Sequence, residues 1–197
     1  MNKALEHFKK VDPVLFEAAK NISLDERNKS EDLFIDLVES IISQQLSIKA
    51  SDTIFGRFKK LFPKEKITPE KILKISDERI RECGISFSKI KYIKGIATAV
   101  IEKQIALENL DKLENEEIIN ELVKLKGIGR WTAEMFLMFS LGRTDVFSPG
   151  DLGLQNAIIK LYKLKRKPTA NELIKISSKW SPHRTIASRI LWRSLEK

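Results

Sequence analysis

LKGIGRWTAE, at residues 125–134, places two glycines between two segments that both have the apolar spacing of a helix. Before the glycines, apolar residues recur at helical spacing from Ile118 to Leu125, and after them the run MFLMF begins a second apolar segment. Gly127 and Gly129 tolerate backbone angles that side chains resist, and without a Cβ they let another molecule approach the main chain closely. The stretch therefore predicts two helices joined by a tight hairpin.

The start of the second helix is a candidate anion-binding site. The N–H groups of a helix's first turn have no intrahelical acceptor, and the helix dipole adds positive potential there. Lys126 and Arg130 flank this point with positive charge. An ordinary αα-hairpin with a glycine C-cap explains the same pattern without a ligand, so the stretch alone leaves both interpretations open.

The charge balance indicates a polyanionic partner. The 197 residues include Lys+Arg 36 and Asp+Glu 27, which gives a net charge of +9 and a sequence pI of about 9.5. Such a charge suits nucleic acid or an anionic membrane surface. No apolar run approaches the length of a membrane span, and the N-terminus lacks the apolar core of a signal peptide. We therefore expect a cytoplasmic protein, or a nuclear one in a eukaryote, without a membrane partner.

Cysteine and histidine are too few for several kinds of site. Cys83 is the only cysteine, so the chain cannot form an internal disulfide or supply four thiolates to an iron–sulfur cluster. With only His7 and His183 as further ligands, a conventional zinc site is not expected. Cys83 lies in an apolar helical pattern, which favours a buried hydrophobic role over a Cys–His nucleophile pair.

Helical periodicity covers most of the chain, and no segment shows convincing strand alternation. We predict an all-α protein of about ten helices in two lobes. The first lobe covers about residues 30–110. The second covers about residues 111–197 and takes in the N-terminal helices of residues 1–29, of which residues 23–29 form a polar connector. Trp180 is interpreted as a core residue of this fold.

A long amphipathic helix is predicted over residues 88–108. Lys89, Lys91, Lys94 and Lys103 make part of this segment basic. We interpret these lysines as a solvated helix face, which is the usual reason for such a charge pattern.

Asp151 follows a loop rich in glycine and proline. Residues 140–150, SLGRTDVFSPG, have no helical stripe, and Asp151 then opens an apolar periodic run. A carboxylate in this position is typically a helix N-cap, and the local sequence alone favours that interpretation. Asp145, earlier in the same loop, is the competing carboxylate, and we interpret it as structural.

Three motifs, in order along the chain, resemble those of the helix-hairpin-helix (HhH-GPD) DNA glycosylases. The hairpin motif with a Gly/Pro-rich loop and an aspartate is LKGIGRWTAEMFLMFSLGRTDVFSPGDLGL at residues 125–154. Two further motifs are similar to the 3-methyladenine DNA glycosylase II (alkylbase glycosylase) branch: IISQQLS at residues 41–47, in its wedge loop, and WSPHRTIA at residues 180–187 with Trp192. The chain resembles the minimal members, which lack an N-terminal β-domain. The resemblance implies a two-lobed helical core with the active site between the lobes.

The same resemblance implies a reaction: hydrolytic removal of an alkylated purine, of the 3-methyladenine or 7-methylguanine type, in base excision repair. Relatives that also cut the strand have a lysine directly after Gly-Ile-Gly-Arg, and this chain has Trp131 there. An indole cannot form a Schiff base, so no lyase activity is expected, although nearby Lys126 keeps that alternative open. Asp151 matches the catalytic carboxylate, which stabilises the positive charge that develops on the deoxyribose.

The remaining site residues follow from the same motifs. Trp131 and Trp192 match the aromatics of the base pocket, whose faces attract a cationic base. Gln45 matches the wedge that fills the gap left by a flipped base, with Gln44 and Leu46 beside it. Amides that cap a helix end are an equally good interpretation of the two glutamines. The contacts to the DNA backbone implied for the hairpin are Gly127, Ile128, Gly129, Arg130 and Thr132.

The implied partner is double-stranded DNA that contains damaged bases, in the nucleoid of a bacterium or archaeon or in a nucleus, and a monomer is expected. No cofactor, catalytic metal or iron–sulfur cluster is implied, and a structural monovalent cation in the hairpin is left open. Leu152 and His183 stand where some relatives have aromatics, so the selectivity of the pocket is open too. Two alternatives remain: a noncatalytic DNA-binding or damage-sensing protein, and a glycosylase for deaminated or oxidised bases.

Overall fold

A computed structural model describes residues 1–25 and 29–196 of the chain. Within these residues the protein is all-helical, with twelve α-helices and no β-strand, which confirms the predicted fold class. Part of the predicted connector, residues 26–28, lies outside the described residues. Among the described residues, no helix combines the length and apolar character needed to cross a membrane.

The helices follow one another with short links. Two short 3-10 helices lie at Pro63–Glu65 and Leu107–Lys112. The α-helices are α1 (Asn2–Val11), α2 (Pro13–Ala19), α3 (Leu33–Ser43), α4 (Ile48–Lys59), α5 (Pro69–Lys74), α6 (Asp77–Glu82), α7 (Phe87–Ile101), α8 (Asn115–Leu122), α9 (Arg130–Phe139), α10 (Leu152–Leu161), α11 (Ala170–Ser178) and α12 (Arg184–Ser194).

The chain divides into two compact units. Unit 1 comprises Met1–Lys29 together with Leu137–Lys197, and unit 2 comprises Ser30–Phe136. The boundary falls within α9, whereas the lobe boundary was predicted near residue 110. The difference arises because the segment that follows residue 110, with α8 and the hairpin, packs within unit 2.

Helix α7 is the centre of unit 2, and α3, α5 and α6 pack against it. It ends at Ile101, earlier than the helix predicted over residues 88–108. The reason is that Lys103 adopts a φ of 56°, which lies outside the right-handed helical region. The buried residues of α7 are Ile90, Ile93, Ile96, Ala97 and Ala99.

Trp180 lies at the core of unit 1, where α2, α10 and α12 pack against one another. Its side chain is fully buried, and its ring lies 5.7 Å from the ring of Phe147. The indole N–H donates to Asp12 Oδ2 at 2.8 Å, so the polar end of the side chain is satisfied inside the core. The interpretation of Trp180 as a core residue is confirmed.

Asp12 is a buried carboxylate that ties the N-terminal helices to the C-terminal segment of unit 1. It caps α2 by accepting from Leu15 N at 3.2 Å, and it also accepts from Tyr162 Oη at 2.5 Å. Lys179 Nζ lies 2.9 Å from its Oδ2, the oxygen that Trp180 also contacts. Burial raises the pKa of Asp12, but these donors outweigh it and hold the pKa below its usual value.

Candidate active site

The hairpin has the tight geometry that its glycines predict. Its turn closes where Ile128 N donates to Leu125 O at 3.0 Å, and Gly127 has a φ of 93°, which side-chained residues rarely adopt. The ring of Tyr92 also lies directly against Gly127: a Cβ at this position would lie 2.5 Å from Tyr92 Cδ2. Two independent constraints, the backbone angle and the contact with Tyr92, therefore require glycine at residue 127.

The N-terminus of α9 lies at the end of the hairpin. The helical ladder begins where Ala133 N donates to Gly129 O at 3.0 Å, so the N–H groups of residues 130–132 precede it. The side chains of Ile128 and Thr132 are buried, and Gly129 is exposed. The contacts to the DNA backbone predicted for Ile128 and Thr132 would therefore be made by the main chain.

The guanidinium of Arg130, beside the hairpin, is paired with two carboxylates. Its Nε donates to Glu134 at 3.0 Å, and its two terminal nitrogens donate to Glu116 at 3.0 and 2.5 Å. The guanidinium in turn lowers the pKa of Glu116. Lys126 is exposed, so it remains the candidate for the positive charge near Gly127.

The predicted wedge residues form the turn between α3 and α4, at residues 43–46, which we call the wedge turn. Leu46 N donates to Ser43 O at 3.2 Å, and Gln44 has φ −52° and ψ 130°. Gln45 follows with a φ of 59°. These angles are those of a type II turn, whose third residue is usually glycine or asparagine. Gln45 and Leu46 are exposed and stay the wedge candidates.

Gln44 has a different role from its neighbours in the wedge turn. Its Nε2 donates to Gly127 O at 2.9 Å, and the residue is half-buried. The prediction that Gln44 lies beside the wedge is therefore refined: its side chain connects the wedge turn to the hairpin. The side-chain amide of Gln44 thus contacts a carbonyl of the hairpin and not one at a helix end, as the capping alternative would require.

Trp131 and the wedge turn line one cavity of unit 2, with a volume of about 510 Å³. Trp131 is 48% exposed, so about half of its side-chain surface is open to a ligand in this cavity. Trp131 is therefore not a core residue, in contrast to Trp180. The cavity is lined by Ser40, Ser43, Gln44, Gln45, Leu46, Trp131, Thr132 and Met135.

Asp151 begins α10 in unit 1 and is 8% exposed. Its Oδ1 accepts from Leu154 N at 2.7 Å, which is the N-cap bond that the local sequence indicates. The same oxygen accepts from Trp192 Nε1 at 2.9 Å. Two N–H donors thus fix the orientation of a largely buried carboxylate.

Trp192 reaches Asp151 because Gly153 leaves room for it. A Cβ at Gly153 would lie 3.0 Å from Trp192 Cδ1 and 3.1 Å from Asp151 Oδ1, closer than nearly all real contacts of this kind. Trp192 also packs on Phe139, with ring centroids 5.9 Å apart. The sequence motifs place Trp192 in the base pocket only and do not indicate Gly153, whose one signal in the sequence is the second glycine of GDLGL.

Asp145 is a structural carboxylate, in agreement with the sequence interpretation. It accepts from Arg184 Nε at 2.7 Å and from Ser181 Oγ at 2.7 Å, both within unit 1. Burial raises the pKa of Asp145, but the donors from Arg184 and Ser181 outweigh it and lower the pKa. The charge of Asp145 therefore stabilises the position of the start of α12.

Leu152 and His183 differ in their surroundings. Leu152 is 65% exposed, directly after Asp151. His183 packs its ring against His7 and Phe8, with centroid distances of 5.7 and 6.4 Å. Leu152 is therefore the residue of the two that presents an apolar side chain at the start of α10.

Cys83 is buried, and burial raises the pKa of its thiol, which agrees with a hydrophobic role. Among residues 1–25 and 29–196, no three side chains of His, Cys, Asp or Glu come together in an arrangement that could hold a metal ion.

The candidate site residues fall into two groups, one in each unit. Unit 2 holds the hairpin, Trp131 and the wedge turn, and unit 1 holds Asp151, Gly153 and Trp192.

Sequence comparison assigns the chain to a known family. Residues 38–183 match the family described as HhH-GPD superfamily base excision DNA repair protein. The chain therefore belongs to the HhH-GPD superfamily, as the three motifs indicated.

Within this superfamily the chain is similar to 3-methyladenine glycosylases. DNA-3-methyladenine glycosylase 1 of Schizosaccharomyces pombe is 38% identical, over 96% of this chain and 82% of that protein. The DNA-3-methyladenine glycosylase of Saccharomyces cerevisiae is 34% identical, over 98% of this chain and 79% of that protein. A solved structure of the S. pombe 3-methyladenine DNA glycosylase in complex with abasic DNA has a TM-score of 0.86 at 37% identity, covering 99% of this chain and 97% of that one.

Proposed function

We propose that this protein is a monofunctional DNA glycosylase that removes alkylated purines, of the 3-methyladenine or 7-methylguanine type, from double-stranded DNA in base excision repair. The names of its relatives support this activity. The observation that carries the proposal is the buried carboxylate of Asp151, whose Oδ1 accepts from both Leu154 N and Trp192 Nε1. A carboxylate held so firmly is suited to electrostatic stabilisation of a cationic transition state, because it needs no reorganisation during the reaction.

The proposed reaction is a hydrolysis at C1′ of the damaged nucleotide. The bond between C1′ and the base nitrogen breaks, and its electron pair leaves with the base. An alkylated purine carries positive charge before the reaction, so it departs as a neutral base and needs little acid catalysis. Water forms the new C1′–O bond and loses a proton to solvent, which leaves an abasic site.

Asp151 is the catalytic residue in this proposal. As the C1′–N bond lengthens, positive charge spreads over C1′ and the ring oxygen of the deoxyribose. The Asp151 carboxylate opposes that charge, and Trp192 and Leu154 hold the carboxylate in place. The N-cap function and the catalytic function are compatible, because the bonds from Leu154 N and Trp192 Nε1 both go to Oδ1, and an ionised carboxylate has a second oxygen with further acceptor capacity.

Trp131 is proposed to bind the base. Its exposed indole offers an electron-rich face to a cationic purine, with a cation–π contribution of roughly 0.5–2 kcal/mol. It also stands where strand-cutting relatives have a lysine, and an indole cannot attack C1′. The reaction is therefore proposed to stop at the abasic site.

The hairpin and the wedge turn are proposed to act on the DNA itself. The N-terminus of α9 and exposed Lys126 suit a backbone phosphate, which positions the protein without reading sequence. Extracting a base from the duplex costs a few kcal/mol, and a side chain that fills the gap offsets part of that cost. Gln45 and Leu46, exposed on the wedge turn, are proposed for this role.

The proposed mechanism uses no cofactor and no metal, and the proposed active form is a monomer. A monovalent cation in the hairpin would serve a structural purpose only. Because its substrate is chromosomal DNA, the protein is proposed to work in the nucleoid of a bacterium or archaeon, or in a nucleus.

A lesion panel tests the proposed activity. Duplexes that carry a methylated, a deaminated or an oxidised base are incubated with the protein in a chelating buffer at one fixed salt concentration, because phosphate contacts make binding depend on salt. We expect free 3-methyladenine or 7-methylguanine in the supernatant. Release of only deaminated or oxidised bases would establish the other glycosylase alternative. Binding to abasic DNA without release of any base would establish a noncatalytic damage sensor.

A further inference from the structure

We propose that Lys89 is a positioning residue for base flipping: from α7 it holds the wedge turn, and Gln44 fastens that turn to the hairpin. The inference rests on the proposed function, because it concerns how the wedge of a DNA glycosylase is supported. By its charge pattern alone, Lys89 belongs to a solvated helix face. The contacts within unit 2 give it a different role.

The ammonium group of Lys89 donates hydrogen bonds to main-chain carbonyls. Its Nζ donates to Ile42 O at 2.8 Å and to Gln44 O at 2.7 Å, and the side chain is half-buried. Both acceptors belong to the C-terminal end of α3, where carbonyls lack intrahelical donors and the helix dipole favours a cation. Burial lowers the pKa of Lys89. A lysine in this setting stabilises the end of α3 and is not available for a phosphate.

The wedge turn needs this support because its backbone is strained. Gln45 has a φ of 59°, a left-handed conformation that is unfavourable for residues with a side chain. Gln44 O, immediately before Gln45, is one of the two carbonyls that Lys89 holds. Strain of this kind persists where surrounding contacts fix the backbone, and it is frequent at functional sites.

A second contact joins the wedge turn to the hairpin. Gln44 Nε2 donates to Gly127 O at 2.9 Å, so the side chain beside the strained residue ends on the phosphate-binding loop. Tyr92 packs on the same glycine from α7. Lys89 and Tyr92 are three residues apart on α7, and residues at this spacing share a helix face.

One face of α7 therefore supports both DNA-contacting loops of unit 2. Lys89 fixes the wedge turn, Tyr92 packs on the hairpin, and Gln44 connects the two. The wedge turn and the hairpin are therefore held in a fixed arrangement within unit 2. When the hairpin binds the DNA backbone, Gln45 and Leu46 are positioned at the same time. We call the contacts that Lys89 makes with Ile42 O and Gln44 O, together with the contact of Gln44 with Gly127 O, the brace. Without the brace, the protein would still bind DNA, but it would lose its higher affinity for DNA in which base stacking is already interrupted.

Two substitutions each remove part of the brace. Both replace the polar side chain with an uncharged one of similar length. Lys89→Met removes the donations to Ile42 O and Gln44 O, and Gln44→Met removes the donation to Gly127 O. Lys91→Met is the matched control for lost charge, because Lys91 is exposed on the same helix. Circular dichroism and thermal unfolding establish that each variant is folded, and either brace variant alone suffices for the test.

The measurement is the ratio of two dissociation constants at fixed salt: one for an intact duplex and one for the same duplex with a tetrahydrofuran abasic analogue. Neither DNA can be cleaved, so the result is independent of whether the protein excises any base. We expect Lys89→Met and Gln44→Met to lower the ratio about tenfold, which corresponds to the loss of one good hydrogen bond. Affinity for intact DNA should change no more than in Lys91→Met.

Two results would overturn the inference. One is an equal weakening on both duplexes in Lys89→Met, which would identify Lys89 as an ordinary phosphate contact. The other is an unchanged ratio in every brace variant that is folded. If no lesion in the panel described above releases a base, that result counts against the proposed glycosylase activity. The ratios of dissociation constants would still decide whether the brace has the proposed role.

Discussion

Trp192 Nε1 donates to Asp151 Oδ1 at 2.9 Å, beside the N-cap bond that Leu154 N makes to the same oxygen. Trp192 therefore orients the carboxylate of Asp151 in addition to presenting an aromatic ring. We predict that Trp192→Phe, which keeps a ring but removes the donor, lowers the single-turnover rate of base release about tenfold or more, because a bond to a charged acceptor is worth about 1.5–3 kcal/mol.

Single-turnover assays with saturating enzyme measure that rate directly. Affinity for abasic DNA serves as the control, and it should stay within about twofold of the wild-type value because the donor contacts Asp151 and not the phosphate. A Trp192→Phe protein with the wild-type excision rate would show that the indole N–H has no part in orienting the acid.

Gly153 is predicted to be essential for the same contact. A Cβ at residue 153 would lie 3.0–3.1 Å from Trp192 and from Asp151 Oδ1, so Gly153→Ala must displace one of them. We expect an excision rate as low as that of Trp192→Phe, and a double variant no slower than either single one, since both changes break one interaction. Gly150→Ala is the matched control, because a Cβ there meets nothing within 4 Å. Additive losses in the double variant would contradict this coupling.

The absence of lyase chemistry is a third prediction. Trp131 cannot form a Schiff base, so reduction with borohydride should trap no covalent complex between the protein and abasic DNA. Denaturing electrophoresis detects such a complex. A trapped complex that disappears in Lys126→Met would identify exposed Lys126 as a nucleophile and make the protein bifunctional.

Asp12 gives a prediction about stability against pH. Its pKa in the folded protein lies below the ordinary value of 3.8, so its ionised form stabilises the fold above that pH. The contribution is lost as the pH falls below 3.8 through the lower folded-state pKa. We expect Asp12→Asn to lower the free energy of unfolding by about 1–3 kcal/mol at pH 7, with a smaller difference in strong acid.

Urea unfolding at several pH values between 7 and 3 measures both effects. Asp52→Asn is the control, because Asp52 is exposed. If the wild type and Asp12→Asn differ equally at pH 7 and at pH 3, the carboxylate charge of Asp12 does not stabilise the fold.

The sequence predicted those features that depend on local order. The glycine hairpin has the positive φ at Gly127 that its pattern favours. The Asp151 N-cap is equally local. These predictions succeed because the atoms concerned are only a few residues apart.

Contacts between distant residues were not predictable in the same way. Lys89 and Gln44 belong to different helical segments, as do Asp151 and Trp192, and each pair meets only because particular helix faces pack together. Periodicity states which face of a helix is apolar but not which polar side chain reaches across it. Arg130 is a further example: its position beside the hairpin was expected, but its ion pair with Glu116 was not.

The most direct test of the account is base release from methylated duplex DNA by Asp151→Asn, with Asp145→Asn as the matched control. Asp145 is bound by Arg184 and Ser181, so its substitution should affect stability and leave the chemistry intact once the protein is folded. We predict that Asp151→Asn releases 3-methyladenine at least about a hundredfold more slowly than the wild type, the scale expected for loss of a preorganised electrostatic group, and still binds abasic DNA. Release of 3-methyladenine by Asp151→Asn at the wild-type rate would contradict the assignment of Asp151 as the catalytic carboxylate.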